Sequence, residues 1–317
     1  MTNVRFEDCR FAGIFGFGVA TNAHFLRCGW AGPSIGTSRK GSKNVVFEEC
    51  KFVGETSDPN HRGGVGSDGE AKFIRCTAKW FTLEGYEKLE LLNCELDTCN
   101  IDTDSVGNSG ENFSYSSVLI DNCKLRGKFD MVANSLQSLT IRDTVIDNLD
   151  LSGASVKGDV VMERVKGGSV KAIVRGAHRL IVKNCQFTPQ PGVRFAFSLA
   201  SNEAQEILVE DTSITCENIL VDIGGGAQTE SITFNRSKFT RLDLKYVHTQ
   251  KLLLKEFEAN SVVLSDARIG LLEFDQASFA YTLDLSNTQV KNFKQTGGTS
   301  LKKLAGLKLD GSNVKIN

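Results

Sequence analysis

The sequence predicts an all-β solenoid, in which the chain coils repeatedly into short parallel strands around one continuous core. Three observations predict it: a phrase that recurs about every twenty residues, a five-residue period of apolar positions, and an interior composition dominated by Phe. The chain of 317 residues has 20 Phe against 4 Tyr and 2 Trp. Phe carries no polar atom that needs a partner, which suits a dry and stacked interior.

The recurring phrase is a large apolar residue, two polar residues, a small residue, one variable residue and a second apolar residue. It occurs in residues 6–11 (FEDCRF), 47–52 (FEECKF) and 120–125 (IDNCKL). Later copies keep the frame with Thr, Ser or Ala in place of Cys, as in residues 141–146 and 234–239. We therefore interpret the Cys position as a slot for a small, buried, hydrophobic side chain.

Apolar positions repeat every five residues in the clearest part of the chain. Of the ten residues spaced by five from Phe234 to Phe279, nine are apolar, and the residues two positions earlier are equally apolar. This period fits neither an α-helix nor the alternation of a long strand. The chain is predicted to turn a corner every five residues, with two inward side chains between corners. Four such segments close one coil of about twenty residues.

The repeats predict the extent of the solenoid. Thirteen anchor residues, with a last partial copy at residues 309–314, predict about thirteen coils. Residues 1–295 are assigned to the parallel β-helix and residues 296–317 to a C-terminal cap with the last partial coil. Segment 296–306 breaks the period and is predicted to form a short helix. Insertions rich in Gly, Ser and Asn are predicted to be surface loops: 29–44, 54–70, 103–117, 188–206 and 224–230.

This spacing of inward positions resembles the pentapeptide-repeat proteins. The resemblance is clearest in residues 149–158 (LDLSGASVKG), 240–247 (TRLDLKYV) and 282–290 (TLDLSNTQV). It implies a right-handed quadrilateral parallel β-helix. The chain departs from the family in its frequent insertions and in bulky residues where the family prefers Ala. These departures leave open a looser relation to the pectate-lyase-like β-helices.

Charge and hydropathy limit the classes of partner. The chain has 37 Lys and Arg against 38 Asp and Glu, a net charge of −1. Such a balance supplies no strong global field, so a nucleic-acid partner is not favoured. No run approaches the roughly 18 apolar residues of a membrane helix, and the N-terminal residues lack the pattern of a secretory signal. We expect no membrane insertion and a cytoplasmic location, or delivery into a host cell by a non-classical route.

The cysteines and carboxylates are interpreted as structural. Nine cysteines without a CxxC pair argue against a disulfide framework or a zinc site, so no metal and no cofactor are expected. Cys99 and Cys216 fall outside the repeated slot and are predicted to be the more reactive thiols. The carboxylates of Asp102 with Asp104, Asp121, Asp143, Glu48 and Glu49 occupy outward positions of the repeat. They are interpreted as a solvated wall, and no catalytic residue is assigned.

Candidate partner-binding residues lie at the insertions. Residues 59–69 (PNHRGGVGSDG) combine a His and an Arg with glycines whose backbone N–H groups suit an anion. Aromatic side chains beside insertions are the best candidates for a protein-binding surface. The candidate residues are Trp30, His61, Arg62, Trp80, Phe113 and Tyr115.

The function predicted from these features is a non-enzymatic β-helical scaffold that binds another macromolecule, a protein in the first instance. The family resemblance implies roles such as bacterial effectors delivered into host cells and regulatory interaction modules. A β-helical polysaccharide lyase or glycosidase is the first alternative. A DNA-mimicking topoisomerase-binding protein is the second, although it needs a strongly acidic face. A homodimer formed through an open end of the helix also remains open.

Overall fold

The computed structural model describes the chain except for residues 37–40, 55–62, 68, 86, 103–115, 174–175, 189–196, 201–203, 216–218, 222–228, 300, 302–303 and 317. The chain forms two compact units, unit 1 (Met1–Lys157) and unit 2 (Gly158–Asn317). The strands pair in parallel, and no helix occurs in the described ranges. The predicted all-β solenoid is therefore confirmed.

Unit 1 contains strands β1 to β16. Their bounds are β1 (Thr2–Glu7), β2 (Arg10–Gly16), β3 (Thr21–Leu26), β4 (Gly29–Gly36), β5 (Lys43–Glu48), β6 (Lys51–Val53), β7 (Gly63–Ser67), β8 (Glu70–Ile74), β9 (Thr77–Lys79), β10 (Phe81–Gly85), β11 (Lys88–Leu92), β12 (Glu95–Asp97), β13 (Asn100–Asp102), β14 (Ser116–Asp121), β15 (Lys124–Arg142) and β16 (Val145–Val156). The two longest strands, β15 and β16, pair in parallel and contain register shifts where the chain turns.

Unit 2 contains strands β17 to β32. Their bounds are β17 (Asp159–Glu163), β18 (Lys166–Ile173), β19 (Arg179–Lys183), β20 (Gln186–Phe187), β21 (Phe197–Ala200), β22 (Glu206–Glu210), β23 (Ser213–Ile214), β24 (Ile219–Val221), β25 (Thr229–Asn235), β26 (Lys238–Asp243), β27 (His248–Lys255), β28 (Glu258–Val263), β29 (Arg268–Asp275), β30 (Ser278–Asp284), β31 (Gln289–Thr296) and β32 (Gly306–Lys308). From β25 onward, each strand pairs with the strand two positions later in the chain.

The anchor residues of the repeat stack in register and form the core. In unit 1 the stacked column is Phe6, Phe25, Phe47, Phe73, Leu91, Ile120 and Ile141. In unit 2 it is Met162, Val182, Val209, Phe234, Leu254 and Phe274. Parallel strands lie about 4.8 Å apart, so each anchor contacts the anchors before and after it.

The five-residue period predicts the inward positions of unit 2 almost residue by residue. Of the ten positions spaced by five from Phe234, all are buried except Phe279, which is partly exposed. The ten positions two residues earlier, from Ile232 to Ala277, are all buried. The prediction of two inward side chains in every five residues is therefore confirmed in this region.

Residues with left-handed backbone form a column at one corner of the repeat, a feature that the sequence did not predict. Each residue directly before the slot has a positive φ, from 45° at Arg236 to 56° at Asn93. The column is Asp8, Arg27, Glu49, Arg75, Asn93, Asn122 and Asp143 in unit 1, and Arg164, Asn184, Asp211, Arg236, Glu256 and Gln276 in unit 2. Asn and Asp adopt this conformation readily, but Arg and Glu adopt it at a cost of roughly 1–2 kcal/mol. The stacked coils therefore impose the corner on the side chain.

Where the slot holds Cys, Ser or Thr, its side chain also makes hydrogen bonds, whereas Val165, Phe257 and Ala277 occupy it as buried apolar residues. The Cys50 thiol lies 3.3 Å from the carbonyl oxygens of Phe25 and Glu48. Where the slot holds Ser237, its hydroxyl donates to the Asn235 carbonyl at 2.8 Å and accepts from the Thr212 N–H at 3.3 Å. Cys, Thr and Ser share the slot because each is small and carries a donor.

The structure differs from three finer predictions. The described residues make about 11 turns, fewer than the expected thirteen. Several counted anchors belong to coils whose other sides fall outside the described residues. Segments 29–44, 54–70 and 188–206, predicted as loops, contain β4, β7 and β21, because backbone pairing with neighbouring coils does not require large side chains. No helix forms in the described part of 296–306, where consecutive glycines have φ of 63° and 82°.

Candidate functional site

The structure places only two of the six predicted binding residues. His61, Arg62, Phe113 and Tyr115 lie outside the described residues. Trp30 and Trp80 are described, and they lie in different environments. The predicted aromatic surface of unit 1 is therefore not assembled in the described part of the chain, and binding at Trp80 and at the four undescribed residues stays a prediction.

Trp30 is a core residue with 4% exposure. Its ring stacks between Phe11 and Phe52, with centroids 4.9 Å from each. Its indole Nε1 is buried and has no hydrogen-bond partner among the described residues. Proximity to an insertion suggested a surface position, but the ring continues a stack inside the solenoid and is not accessible to a partner there.

Trp80 lies at a corner of unit 1 and is partly exposed. Its backbone is left-handed, with φ of 57°. The Lys79 ammonium lies 4.5 Å from the centroid of its ring, within the range of a cation–π contact. This arrangement leaves part of one aromatic face at the surface of unit 1.

The wall carboxylates are counterions of neighbouring Arg side chains. Arg75 lies 2.5 Å from Glu48 and 3.0 Å from Glu49. Arg142 lies 2.7 Å from Asp121. In the part of the chain that the structure describes, no three His, Cys, Asp or Glu side chains are grouped to hold a metal ion.

These ion pairs lower the pKa of the carboxyl groups. Arg27 donates two hydrogen bonds to Asp8, and this contact lowers the pKa of the Asp8 carboxyl. Arg236 likewise lowers the pKa of the Asp211 carboxyl. The basic residues of these walls are thus matched by acidic ones in the next coil.

The prediction that Cys99 is a reactive thiol is wrong in this structure, because Cys99 is fully buried. Its thiol lies 3.4 Å from the Asp97 carbonyl. Burial also raises the pKa of Cys28 and Cys185 to about 11. Cys28 and Cys185 are therefore protonated at neutral pH and shielded from reagents. Cys216 lies outside the described residues.

Unit 2 has a groove of about 1030 Å³ across the outer faces of β27, β29 and β31. We call it the unit 2 groove. Its lining is His248, Thr249, Gln250, Lys251, Arg268, Ile269, Gly270, Leu271, Gln289, Val290, Lys291, Asn292 and Asn313. Eight of these thirteen residues lie in the clearest part of the five-residue repeat, and none lies in a predicted insertion.

Stacking in register builds the groove. Thr249, Ile269 and Val290 are paired neighbours whose side chains are buried, so their backbones form the floor. The residues on either side of them project outward and form two rims. Gly270 is required by close packing, since a Cβ there would lie 2.5 Å from the Gln250 carbonyl oxygen.

The lining is basic on both rims. His248 and Arg268 are paired neighbours on one rim. Lys251 and Lys291 lie on the other rim, two coils apart. Among the described residues, the lining contains no Asp or Glu. Arg268, Lys251 and Lys291 form no ion pair with any described carboxylate, unlike Arg236 and Lys255 of the neighbouring walls.

Amide side chains close one end of the groove. Asn313 donates from Nδ2 to the Val290 carbonyl at 2.9 Å and accepts from the Val290 N–H at 2.8 Å through Oδ1. Gln289 donates to the Gly311 carbonyl at 3.3 Å. At the other end, Glu230 lies in the next coil beside Gln250, outside the lining. The groove is therefore a basic site that is closed at one end and has amide side chains in its lining.

The sequence did not predict this groove, although part of its signal was present. His248 and Arg268 are basic residues separated by twenty positions, which is one coil of the repeat. Lys251 and Lys291 are not equivalent positions, because Lys251 pairs with Leu271 and Leu271 pairs with Asn292. Only the stacking of the coils brings both lysines to one rim.

No protein-family model matches this chain, no curated protein matches it significantly, and no solved structure does so either. The resemblance to pentapeptide-repeat proteins therefore stays a prediction, as do the predicted location and the domain boundary at residue 295. The described ranges contain no helix of the length and hydrophobicity needed to cross a membrane.

Proposed function

We propose that this chain is a non-enzymatic scaffold that binds another macromolecule, a protein, through the unit 2 groove. One observation carries the proposal: a groove on stacked strands holds Lys251, Arg268 and Lys291 without a carboxylate partner among the described residues. A cation that already forms an ion pair within its own chain gains less from binding an external anion. These three cations remain available to a ligand.

The backbone around the groove supports a binding role. The central strand, β29, pairs with β27 on one side and β31 on the other. Its floor is fixed by the buried column below it, so the rims are held in place before a partner arrives. Preorganised surfaces lose less conformational freedom on binding, and more of the contact energy is retained as affinity.

The composition of the groove favours binding over glycoside hydrolysis. A glycosidase uses two carboxyl groups about 5–10 Å apart across the scissile bond. None of the described residues that line the unit 2 groove has a carboxyl side chain. The wall carboxylates Glu48, Glu49 and Asp121 are paired with Arg75 or Arg142.

A charge-reversal experiment tests the proposal. The triple variant Lys251→Glu, Arg268→Glu and Lys291→Glu is compared with the control Arg10→Glu, Lys43→Glu and Lys51→Glu, which changes the same residue types at exposed positions of unit 1. Proteins cross-linked to the tagged wild-type chain in its native cells are identified, purified and titrated against all three forms. We expect the groove variant to lose a partner that the control retains.

Thermal melting of both variants separates loss of binding from loss of fold. Equal melting temperatures with loss of binding in the groove variant alone support the proposal. Binding that survives the groove variant and is lost in the control would move the interface to unit 1 and overturn it. Turnover of polygalacturonate by the wild-type chain would overturn the non-enzymatic assignment.

A further inference from the structure

We infer that the unit 2 groove takes an extended segment of polypeptide with consecutive acidic residues. This inference rests on the proposed function and names the chemistry of the partner. It follows from three properties of the groove: the sign of its rims, the placement of its cations and the presence of amide groups between them.

The sign of the rims selects an anionic ligand. The three cations Lys251, Arg268 and Lys291 face one groove, and the lining contains no Asp or Glu. The guanidinium of Arg268 offers two parallel N–H groups, a geometry that matches a carboxylate. Partial enclosure by the groove lowers the local screening by water and salt, which strengthens these contacts relative to an open surface.

The placement of the cations on both rims selects consecutive acidic residues. Successive side chains of an extended chain point to opposite sides. A segment that runs along the groove floor would direct its first and third side chains to the rim of Lys251 and Lys291, and its second to the rim of Arg268. Side chains two apart in a strand are separated by about 6.6 Å, and two coils by about 9.6 Å. The flexible stems of the two lysines span this difference.

The amides favour polypeptide over other anions. Each Asn or Gln side chain has a donor and an acceptor that match the C=O and N–H of a peptide. Asn313 already pairs in this way with both backbone groups of Val290, at 2.9 and 2.8 Å. Gln250 and Asn292 bring the same group to the lining, on the rim of the two lysines.

The lining is poorly suited to single-stranded nucleic acid. Proteins that bind single strands stack bases on aromatic side chains, at about 1–3 kcal/mol per base. As far as the chain is described, the lining of the unit 2 groove contains no Phe, Tyr or Trp, and Leu271 is its only apolar side chain outside the buried floor.

Fluorescence anisotropy with three defined probes tests the inference. The probes are a labelled peptide with five consecutive Glu between Gly-Ser ends, a labelled oligothymidylate of twenty nucleotides, and polygalacturonate as an unlabelled competitor. We expect the full chain to bind the Glu peptide with a Kd that rises at least tenfold when sodium chloride is raised severalfold. A peptide of the same length with Gln in place of Glu should not bind.

The variants locate the site. The triple variant Lys251→Glu, Arg268→Glu and Lys291→Glu should weaken binding of the Glu peptide at least a hundredfold, while Arg10→Glu, Lys43→Glu and Lys51→Glu should change it less than threefold. Asn292→Leu, which removes the amide at similar volume, should weaken binding by about threefold to tenfold. Loss of binding in both triple variants would show a nonspecific charge effect and overturn the inference.

The outcomes distinguish this inference from the proposed function. If oligothymidylate or polygalacturonate binds the groove more tightly than the Glu peptide, the assignment to acidic polypeptide is overturned and the groove remains a binding site. If the Glu peptide fails to bind while a native protein partner is still lost in the groove variant, the inference fails alone. If no partner depends on the groove, the proposed function fails.

Discussion

The first coils of unit 1 and the last coils of unit 2 place the same corner and slot over different cores. In unit 1, Phe25, Phe47 and Phe73 stack face to face, with successive centroids 5.0 and 4.9 Å apart. In unit 2 the same column alternates Phe234 and Phe274 with Leu254. Ring stacking is therefore not what sets the register. The corner, the slot and the inward spacing are common to both, and they define the fold.

Removal of one anchor from each core gives the largest expected effect. Phe47→Ala should lower the free energy of unfolding by about 4 kcal/mol and Leu254→Ala by about 3 kcal/mol, because each leaves a cavity in a packed column. Phe47 contacts four aromatic rings, those of Phe25, Trp30, Phe52 and Phe73. Urea denaturation followed by circular dichroism measures both.

A control and an opposing result sharpen this comparison. Val145→Ala, at a position with 49% exposure in unit 1, should change the free energy of unfolding by less than about 0.5 kcal/mol. A smaller loss for Phe47→Ala than for Leu254→Ala would show that the aromatic stack contributes less than an aliphatic anchor.

Substitutions in the slot should have the next largest effect on stability, and they compare a hydroxyl with a thiol at this position. Ser237→Ala should cost about 1–2 kcal/mol, because it leaves the buried Thr212 N–H without its hydroxyl acceptor. Cys50→Ser should change stability by less than about 1 kcal/mol, since the hydroxyl finds the carbonyls of Phe25 and Glu48 already in place. Urea denaturation again provides the values. A cost near 3 kcal/mol for Cys50→Ser would restore the purely hydrophobic interpretation of the slot.

The left-handed corner gives the smallest effect. Glu256 has φ of 46°, whereas Glu258, two residues later, lies in strand β28. Glu256→Gly should leave stability unchanged or raise it by up to about 1 kcal/mol, because Gly adopts positive φ without strain. Glu258→Gly should lower it by about 0.5–1 kcal/mol. Equal losses in the two variants would mean that Glu256 is unstrained at its corner.

The inward positions could be predicted from the sequence because buried positions require apolar residue types. Leu242, Val247 and Leu252 are apolar and buried at a spacing of five, which would place neighbours on opposite faces of a regular strand and therefore requires a turn every five residues. The left-handed backbone of the corner does not require one residue type. Residues as different as Arg236 and Asn184 adopt the same positive φ there, so composition did not reveal it.

The candidate site was not predicted because, in the sequence, its residues look like ordinary solvent-exposed residues of the repeat. They form a site only when the coils are stacked in register. Lys251 and Lys291 are forty residues apart in the chain and two coils apart in the stack. Conversely, Trp30 was expected at the surface because it borders an insertion, and its packing against Phe11 and Phe52 depends on coils that the local sequence does not identify.

The left-handed corner accepts side chains of different charge, and this affects how the sequence of such a chain diverges. Acidic, basic and amide side chains occupy equivalent corners, as Asp211, Arg236 and Gln276 show. A change of charge at an outward position therefore leaves the buried column untouched and is nearly neutral for stability. Homologous solenoids would retain their inward period while their outer charges drift, so ligand preference would diverge sooner than architecture. Function in this class of chain is then to be sought in the sign pattern of outward columns, coil by coil.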